Sequence, residues 1–275
     1  MKEGGDMNDT NYLNKKKRKK GWIMLGIVLI IVLCGAVVVG IIADKNVKAM
    51  NSCVDSVLAI LEEHHRMKAL DVGKYEDMTI YGLMKFDVEQ YEIEELGNLS
   101  VMRMNVGLMQ MATIVITPRD KNMPLLSADY MYILSKRKCY LEFYDVVTQK
   151  DDTYNELLKK LSKMHEEYAH LENVEVSPAW YADLLTVTSY KSGSFGEDVD
   201  LEALLLDSLQ IYVNHEKGLS RLSEEERSEK RMITVQYTDN LINKGGISTD
   251  VFKKELGEME TKEFFDNVFF GTAVE

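Results

Sequence analysis

An uncharged stretch of 23 residues, from Gly21 to Ala43, constrains this chain more than any other feature of its sequence. At about 1.5 Å per residue, a helix of this length crosses the roughly 30 Å hydrocarbon core of a bilayer. The basic run KKKRKK at 15–20 precedes the stretch, whereas the first charges after it are Asp44, Lys45 and Lys48. The positive-inside rule therefore predicts a cytoplasmic N-terminus and a C-terminal part outside the membrane.

This interpretation divides the chain into three parts. Residues 1–20 are expected to form a disordered, basic cytoplasmic tail, residues 21–43 one transmembrane helix, and residues 44–275 one soluble domain. A cleaved signal peptide fits less well, because the apolar run exceeds the usual length of roughly 7 to 15 residues and lacks an A-x-A site. Lipidation of Cys34 is disfavoured by the large Leu33 before it.

The net charge limits the choice of partner. The whole chain carries −12, and because residues 1–20 contribute +4 and the apolar stretch contributes none, residues 44–275 carry −16. A domain with this charge repels polyanions. We therefore expect neither nucleic acid nor anionic lipid as a partner.

Cysteine and histidine spacing indicates neither a disulfide framework nor a metal site. Outside the apolar stretch the sequence has Cys53 and Cys139, whose pairing cannot be read from the sequence. The histidines lie in helical patterns and not at the spacings of zinc ligands.

Residues 77–147 show the alternation that is typical of a β-sheet. Apolar residues recur at every second position in short segments, which predicts five or six strands. Short polar connections at 95–98 and 135–138 fit hairpins. They indicate antiparallel neighbours, because a parallel crossover needs about a dozen residues.

Helical patterns flank the sheet on both sides. Apolar spacing from Val47 to Leu70 predicts an amphipathic helix that continues from the membrane segment. Capping boxes at Thr153 with Glu156 and at Ser223 with Glu226 predict two helix starts. The remaining predicted elements are a return strand and three helices, at 184–190, 201–212, 251–256 and 264–269, with the helix that starts after Ser223 ending at Gly245.

These elements predict an α+β fold. Helices before and after one mostly antiparallel sheet can cover both of its faces, which gives an α/β/α sandwich preceded by one transmembrane helix.

Common catalytic signatures, such as a Walker loop, a G-x-S-x-G elbow or a dinucleotide fingerprint, are absent from the sequence. The stretch 117–145, TPRDKNMPLLSADYMYILSKRKCYLEFYD, is more individual. A proline pair brackets a polar turn there, and Asp129 lies between two apolar strand halves. An acid inside such a strand requires an explanation, which is either a cap or turn within the strand or a chemical role.

This stretch resembles the ferredoxin-dependent bilin reductases and their relative, red chlorophyll catabolite reductase. In that family a strand ends in a Pro-Arg pair, a short turn reaches a second proline, and a hydrophobic residue, a small pair and an aspartate follow. The matching residues, with the turn one residue shorter and an aspartate after the next strand, are Pro118, Arg119, Pro124, Leu126, Ser127, Ala128, Asp129 and Asp145.

The similarity continues near the C-terminus. The family has an arginine and an aromatic-rich helix, an asparagine, a helix end of the form K-x-h-G and a closing VLF segment. The residues in the same order here are Arg231, Tyr237, Asn243, Phe252, Lys254, Gly257, Val268, Phe269 and Phe270.

The resemblance implies an α/β/α sandwich that holds a linear tetrapyrrole between the sheet and the C-terminal helices. It identifies Asp129 as the aspartate that protonates the bilin before electrons arrive from ferredoxin, a role suited to a buried carboxyl with a raised pKa. It also implies that Thr113 and Asn243 contact the ligand. Thr113 stands where a histidine often faces the bilin, and it cannot titrate in that role.

Ferredoxin is nevertheless an unfavourable partner for this chain. Ferredoxin is acidic and would be repelled by a domain of charge −16, for which SKRK at 135–138 is the one compact basic segment. It is also cytoplasmic, whereas the domain is predicted to face outward.

Three functions follow from the sequence. The leading hypothesis is a membrane-anchored, outward-facing domain that binds a tetrapyrrole or another bulky hydrophobic ligand and need not have kept catalysis. The alternatives are an active reductase of linear tetrapyrroles with Asp129 as proton donor, and a cell-envelope interaction module without a ligand.

The predicted topology can be tested on intact cells. An impermeant protease added outside should remove residues 44–275 while a cytoplasmic marker protein survives, because the basic run retains the N-terminus inside. A protected domain would reverse the orientation and restore access to cytoplasmic electron donors.

Overall fold

The computed structural model describes the backbone of residues 7–273 and the side chains of 33–246 and 249–273. Within these residues the α-helices are α1 Met7–His64, α2 Asp152–Glu167, α3 Asp198–Glu216, α4 Glu224–Lys244, α5 Ile247–Leu256 and α6 Glu258–Phe264. The strands are β1 Met67–Leu70, β2 Asp77–Ile80, β3 Met84–Ile93, β4 Gly97–Val106, β5 Met109–Pro118, β6 Leu125–Ile133, β7 Lys136–Tyr144, β8 Glu172–Asn173 and β9 Leu185–Ser194.

The strands described form one antiparallel sheet in the order β1-β3-β4-β5-β6-β7-β9-β8, with β2 paired to the outer part of β3. The prediction of five or six strands between 77 and 147 is confirmed, since β2 to β7 lie there and adjacent strands are joined as hairpins. The return strand is confirmed as β9, which pairs with β7.

Helices cover both faces of the sheet, so the predicted α+β class and its mostly antiparallel sheet are confirmed. Inward side chains of α1, α2 and α3 pack on one face, around residues such as Ala128, Tyr130 and Leu141. Aromatic and aliphatic side chains of α4, α5, α6 and the closing segment pack on the other, around Phe86, Met102 and Val115. Because side chains alternate along a strand, each strand supplies both cores.

Helix α1 runs from Met7 to His64, and the disorder expected of residues 1–20 stays a prediction. The prediction that this helix reaches Leu70 is wrong at its end. Residues Met67–Leu70 instead form β1 and pair with β3. The strand forms because β3 offers hydrogen-bond partners to the backbone of this segment.

Among the residues described, no helix is long and apolar enough to cross a membrane. The predicted span at 21–43 begins among residues whose side chains lie outside the described part of the chain.

Helix caps follow the sequence at one of the two predicted positions. The capping box of Ser223 with Glu226 starts α4, and Gly245 ends it with a φ of 82°. The box predicted at Thr153 is wrong, because Asp151 is the N-cap of α2 and its carboxylate accepts from the Tyr154 amide at 2.8 Å. The Asp151 carboxylate satisfies an exposed amide of the first turn, and the helix begins two residues earlier than the Thr153 box predicts.

The C-terminal segment is fixed to the sheet by buried polar side chains. Residues Phe265–Phe269 form a π-helical turn whose carbonyls point at β3 and β4. Ser100 donates to the Val268 carbonyl at 2.8 Å, and Gln90 donates to the Asn267 carbonyl at 2.9 Å. These bonds satisfy backbone groups that a π-turn leaves without regular partners.

Two arginines of the family-like motifs meet at this segment, although they are far apart in the sequence. Arg119 donates to the Gly271 carbonyl at 3.5 Å, and Arg231 donates to the Thr272 carbonyl at 3.0 Å. Arg119 also pairs with Glu92. These motif residues therefore hold the chain end on the sheet.

Gly271→Ala should destabilise the fold more than Gly257→Ala, as measured by denaturant unfolding. Both glycines have positive φ, so each alanine costs about 1–2 kcal/mol. At Gly271 an added Cβ would also lie 2.5 Å from the Asn98 side chain, whereas at Gly257 nothing lies within 4 Å. Equal losses would mean that the closing segment is not tightly packed on β4.

Candidate functional site

A group of polar side chains occupies the centre of the sheet face that carries α4 to α6. The strand register brings it together, because Thr113 lies opposite Asp129, Asp129 opposite Tyr140, and Tyr140 opposite Tyr190. We call this group the polar patch; its members are Thr113, Ser127, Asp129, Tyr140, Glu142, Thr188 and Tyr190.

The polar patch is only partly covered by the helices, and we call the partly exposed surface over it the cleft. On the opposite face the same strands are fully buried, as at Ala128 and Leu141, whereas Asp129, Tyr140 and Glu142 remain partly exposed although they lie on central strands. The hydrophobic core under α4 to α6 is centred on β2 to β5 instead. The helical layer therefore leaves the sheet accessible over β6, β7 and β9.

Asp129 lies at the floor of this cleft. Thr113 Oγ1 donates a hydrogen bond to Asp129 Oδ1 at 2.5 Å. Burial raises the pKa of Asp129 to about 6, the negative charge of Glu142 adds to the rise, and the Thr113 hydrogen bond opposes it. A carboxyl with this pKa can hold or release a proton near neutral pH.

The alternation around Asp129 is the one predicted from its strand. Tyr130 and Tyr132 point to the other face, where the Tyr130 hydroxyl donates to the Leu201 carbonyl at 2.6 Å and Tyr132 lies beneath Arg137.

Glu142 is a second carboxylate of the site, and none of the sequence motifs indicated it. Its two oxygens accept hydrogen bonds from the hydroxyls of Tyr190, at 2.8 Å, and Tyr144, at 2.5 Å. It lies two residues beyond Tyr140, the partner of Asp129, so it shares the face and is diagonal to the aspartate. The strand alternation of Tyr140, Glu142 and Tyr144 was the signal that could have identified it.

Aromatic side chains form one wall of the cleft. The ring of Tyr144 lies 5.1 Å from Tyr237 of α4 and 5.8 Å from Tyr181, and Tyr181 lies 5.3 Å from Trp180. Trp180 donates to the Gly245 carbonyl at 2.9 Å, which fixes the segment before β9 to the end of α4. Trp180 and Tyr181 are partly exposed, so they present aromatic surface to the cleft.

Methionines line the same sheet face between Asp129 and the hairpin turns. Met109 and Met111 of β5 and Met131 of β6 are each partly exposed, and Met111 lies opposite Met131. Flexible thioether side chains adapt to apolar ligands of irregular shape.

The other residues selected from the sequence occupy separate places. Asn243 is exposed in the last turn of α4, and its contact with a ligand stays a prediction. Asp145 accepts from the Tyr154 hydroxyl at 3.1 Å and pairs with Lys150, beside α2. Cys53 and Cys139 are both buried and are free thiols.

The basic segment SKRK at 135–138 offers less positive surface than its sequence indicates. Arg137 is buried, its Nε lies 2.5 Å from an Asp198 oxygen, and its guanidinium stacks on Tyr132 and Phe195. Lys136 is exposed and Lys138 is partly exposed. The segment therefore presents two free cations and not three.

Comparison with solved structures identifies the fold. The chain is similar to the crystal structure of phytochromobilin synthase from tomato in complex with biliverdin, with a TM-score of 0.66 and 13% sequence identity over 82% of this chain and 84% of that chain. The fold is therefore that of the ferredoxin-dependent bilin reductases, as the motifs predicted. No family model and no curated protein sequence matches this chain.

Asp129→Asn should stabilise the domain in a pH-dependent way. The folded-state pKa of about 6 lies above the ordinary value of 3.8, so the ionised carboxylate opposes folding, with no effect below both values and the full effect above about pH 6. That rise corresponds to about 3 kcal/mol, and solvent access through the cleft reduces it to about 1–2 kcal/mol.

Denaturant unfolding at several pH values measures this effect. The variant and the parent should have equal stability near pH 3 and diverge as the pH rises to 7.5, whereas the exposed Asp183→Asn control should follow the parent throughout. A loss of stability at pH 7.5 would instead make Asp129 a structural acceptor for Thr113.

Proposed function

We propose that this domain binds a linear tetrapyrrole, or a bulky conjugated ligand of similar shape, in the cleft over β6, β7 and β9. The observation that carries the proposal is the partly exposed polar patch at the centre of a sheet whose other face is closed. The fold agrees with it, since the similar tomato protein was crystallised with biliverdin.

The chemistry of the cleft suits such a ligand. Flat apolar rings pack well against the partly exposed Trp180 and Tyr181, and the methionines accommodate the flexible parts of the ligand. The carboxylates of Asp129 and Glu142 can accept hydrogen bonds from pyrrole N–H groups. Few convergent polar groups within an apolar wall are typical of ligand sites.

A second candidate function is reduction of the bound tetrapyrrole. The pKa of about 6 favours Asp129 as the proton donor, because about a tenth of the carboxyl stays protonated at pH 7. Reduction also needs two electrons from a separate donor. The acidic domain and its short basic segment argue against acidic ferredoxin in that role.

We further propose that the domain is anchored by residues 21–43 and faces outward. The anchor is supported by exposed apolar side chains on α1 just before the domain, at Leu33, Val37, Val38 and Ile41, and the orientation by the basic run before the uncharged stretch. An apolar helix surface of this length needs a lipid or protein environment.

Adding biliverdin to the purified chain tests ligand binding by visible difference absorption. The parent should give a shifted spectrum, whereas Ser127→Trp should abolish the shift by filling the floor of the cleft. Ser162→Trp is the matched control, because Ser162 is exposed on α2 of the opposite layer and should bind normally. A parent with no spectral response to biliverdin would reject the ligand and favour an interaction module.

Supplying a photoreduced one-electron donor to the complex separates binding from catalysis. If the domain is a reductase, the parent should convert the bilin and Asp129→Asn should bind it without conversion. Binding without turnover in the parent would leave a binding protein.

A further inference from the structure

Exposed apolar side chains are concentrated on the hairpin turns at one end of the strands. The turn between β2 and β3 exposes Tyr81 and Leu83, the turn between β4 and β5 exposes Leu108, and the turn between β6 and β7 exposes Leu134. Their exposed fractions are 41%, 75%, 38% and 42%. We call the turns 81–83, 107–108 and 134–135 the hairpin edge.

Strand pairing places these three turns side by side. The first residues of β3 lie opposite the end of β4, Met109 at the start of β5 lies opposite Val106 and Ile133, and Ile133 lies opposite Lys136. The Leu134 amide also donates to the Leu108 carbonyl at 3.1 Å, which joins two of the turns directly.

The turns at the opposite end of the strands are polar. The turn between β3 and β4 carries Glu94 and Glu95, and the connection between β5 and β6 carries Asp120 and Asn122, with Asp120 paired to Arg221. The difference between the edges is not explained by turn geometry. Tyr81, Leu134 and Glu95 share the same left-handed backbone, which favours glycine or asparagine over apolar residues.

Helix α1 enters the domain at the hairpin edge. Asn46 is fully buried, and its side-chain amide donates to the Leu134 carbonyl at 3.1 Å. Lys45 lies 3.9 Å from the centre of the Phe195 ring, beside the end of β9. Two residues separate Asn46 from Ala43, the last residue of the uncharged stretch.

The three-residue step from Ala43 to Asn46 sets the distance between the hairpin edge and a membrane spanned by residues 21–43. A continuous helix places Asn46 about 4.5 Å beyond Ala43 along its axis. The headgroup layer on each side of the hydrocarbon is roughly 5–8 Å thick. The Leu134 turn, which touches Asn46, therefore lies within that layer if residues 21–43 span the bilayer.

We infer that the hairpin edge docks into the headgroup layer of the bilayer that carries the anchor, with Leu83, Leu108 and Leu134 as the inserted side chains. This inference rests on the proposed anchor. Insertion is apolar and does not depend on anionic lipid, which agrees with a domain charge of −16. The exposed Lys85 and Lys136 beside the turns suit lipid phosphates.

Depth-dependent quenching on the full chain in phosphatidylcholine vesicles tests the docking. An environment-sensitive fluorophore is attached at Leu134→Cys or at Glu95→Cys, two exposed turn positions of the same backbone conformation on opposite edges. Both variants carry Cys34→Ser, and the buried Cys53 and Cys139 should not react. Headgroup spin-labelled lipid should quench position 134 several-fold more strongly than position 95, and aqueous iodide should show the reverse order.

A further variant separates docking from mere proximity to the anchor. Leu83→Asn with Leu108→Asn should markedly reduce lipid quenching at position 134 if the turn side chains hold the edge down. Unchanged quenching would mean that the tether alone places the domain, which rejects the inference.

Vesicle flotation distinguishes the remaining outcomes. A chain that floats with the vesicles but shows equal quenching at positions 134 and 95 retains its anchor and refutes the docking. A chain that does not float refutes the proposed anchor, and the docking with it. Biliverdin binding is measured independently of either result.

Discussion

The register between β5, β6, β7 and β9 determines what each face of the sheet can do. It aligns Thr113, Asp129, Tyr140 and Tyr190 across four strands on one face. A slip of β6 by one residue would turn Asp129 into the core beneath α1 to α3 and expose Tyr130 in its place. An unpaired buried carboxylate costs several kcal/mol, so this slip is strongly unfavourable. The packing of the hydrophobic face therefore also fixes which polar side chains lie on the other face. The cleft depends on this alternation.

Two buried basic side chains hold the layers around the cleft in position. Lys230 of α4 donates to the carbonyls of Met123 and Val146, each at 2.8 Å, which fixes α4 to the loops at one end of the sheet. Arg137 of β7 holds the start of α3 through Asp198. Arg137 is paired with the Asp198 carboxylate, whereas burial lowers the pKa of Lys230 to about 7 and its amine is held by carbonyl oxygens alone. The wall bearing Tyr237 is thereby fixed beside the polar patch, and the patch itself is left open.

Much of this architecture follows from local sequence rules, and the exceptions share a physical cause. Period-two alternation predicted five or six strands between 77 and 147, and Ser223 with Gly245 bounded α4 correctly, because these signals arise within a few residues. Strand β1 was missed because a four-residue edge segment is defined by its partner β3, and the Thr153 cap failed because Asp151 offered an equivalent acceptor. Asp129 stood out as an acid in an apolar strand. Glu142 did not, because its importance comes from Tyr144, Tyr190 and an uncovered part of the sheet.

The hairpin edge and the cleft share strands β6 and β7, which relates the proposed membrane contact to the candidate site. Leu134 follows β6 five residues after Asp129, a separation of about 17 Å along an extended strand. The sheet surface between them carries the partly exposed Met109, Met111 and Met131. The domain cannot swing away from helix α1, because Asn46, Cys53 and Leu61 of α1 are part of the buried interior of the domain. If the hairpin edge lies in the headgroup layer as proposed, an apolar ligand dissolved in the bilayer reaches the carboxyl of Asp129 by moving along this methionine-lined surface of the sheet.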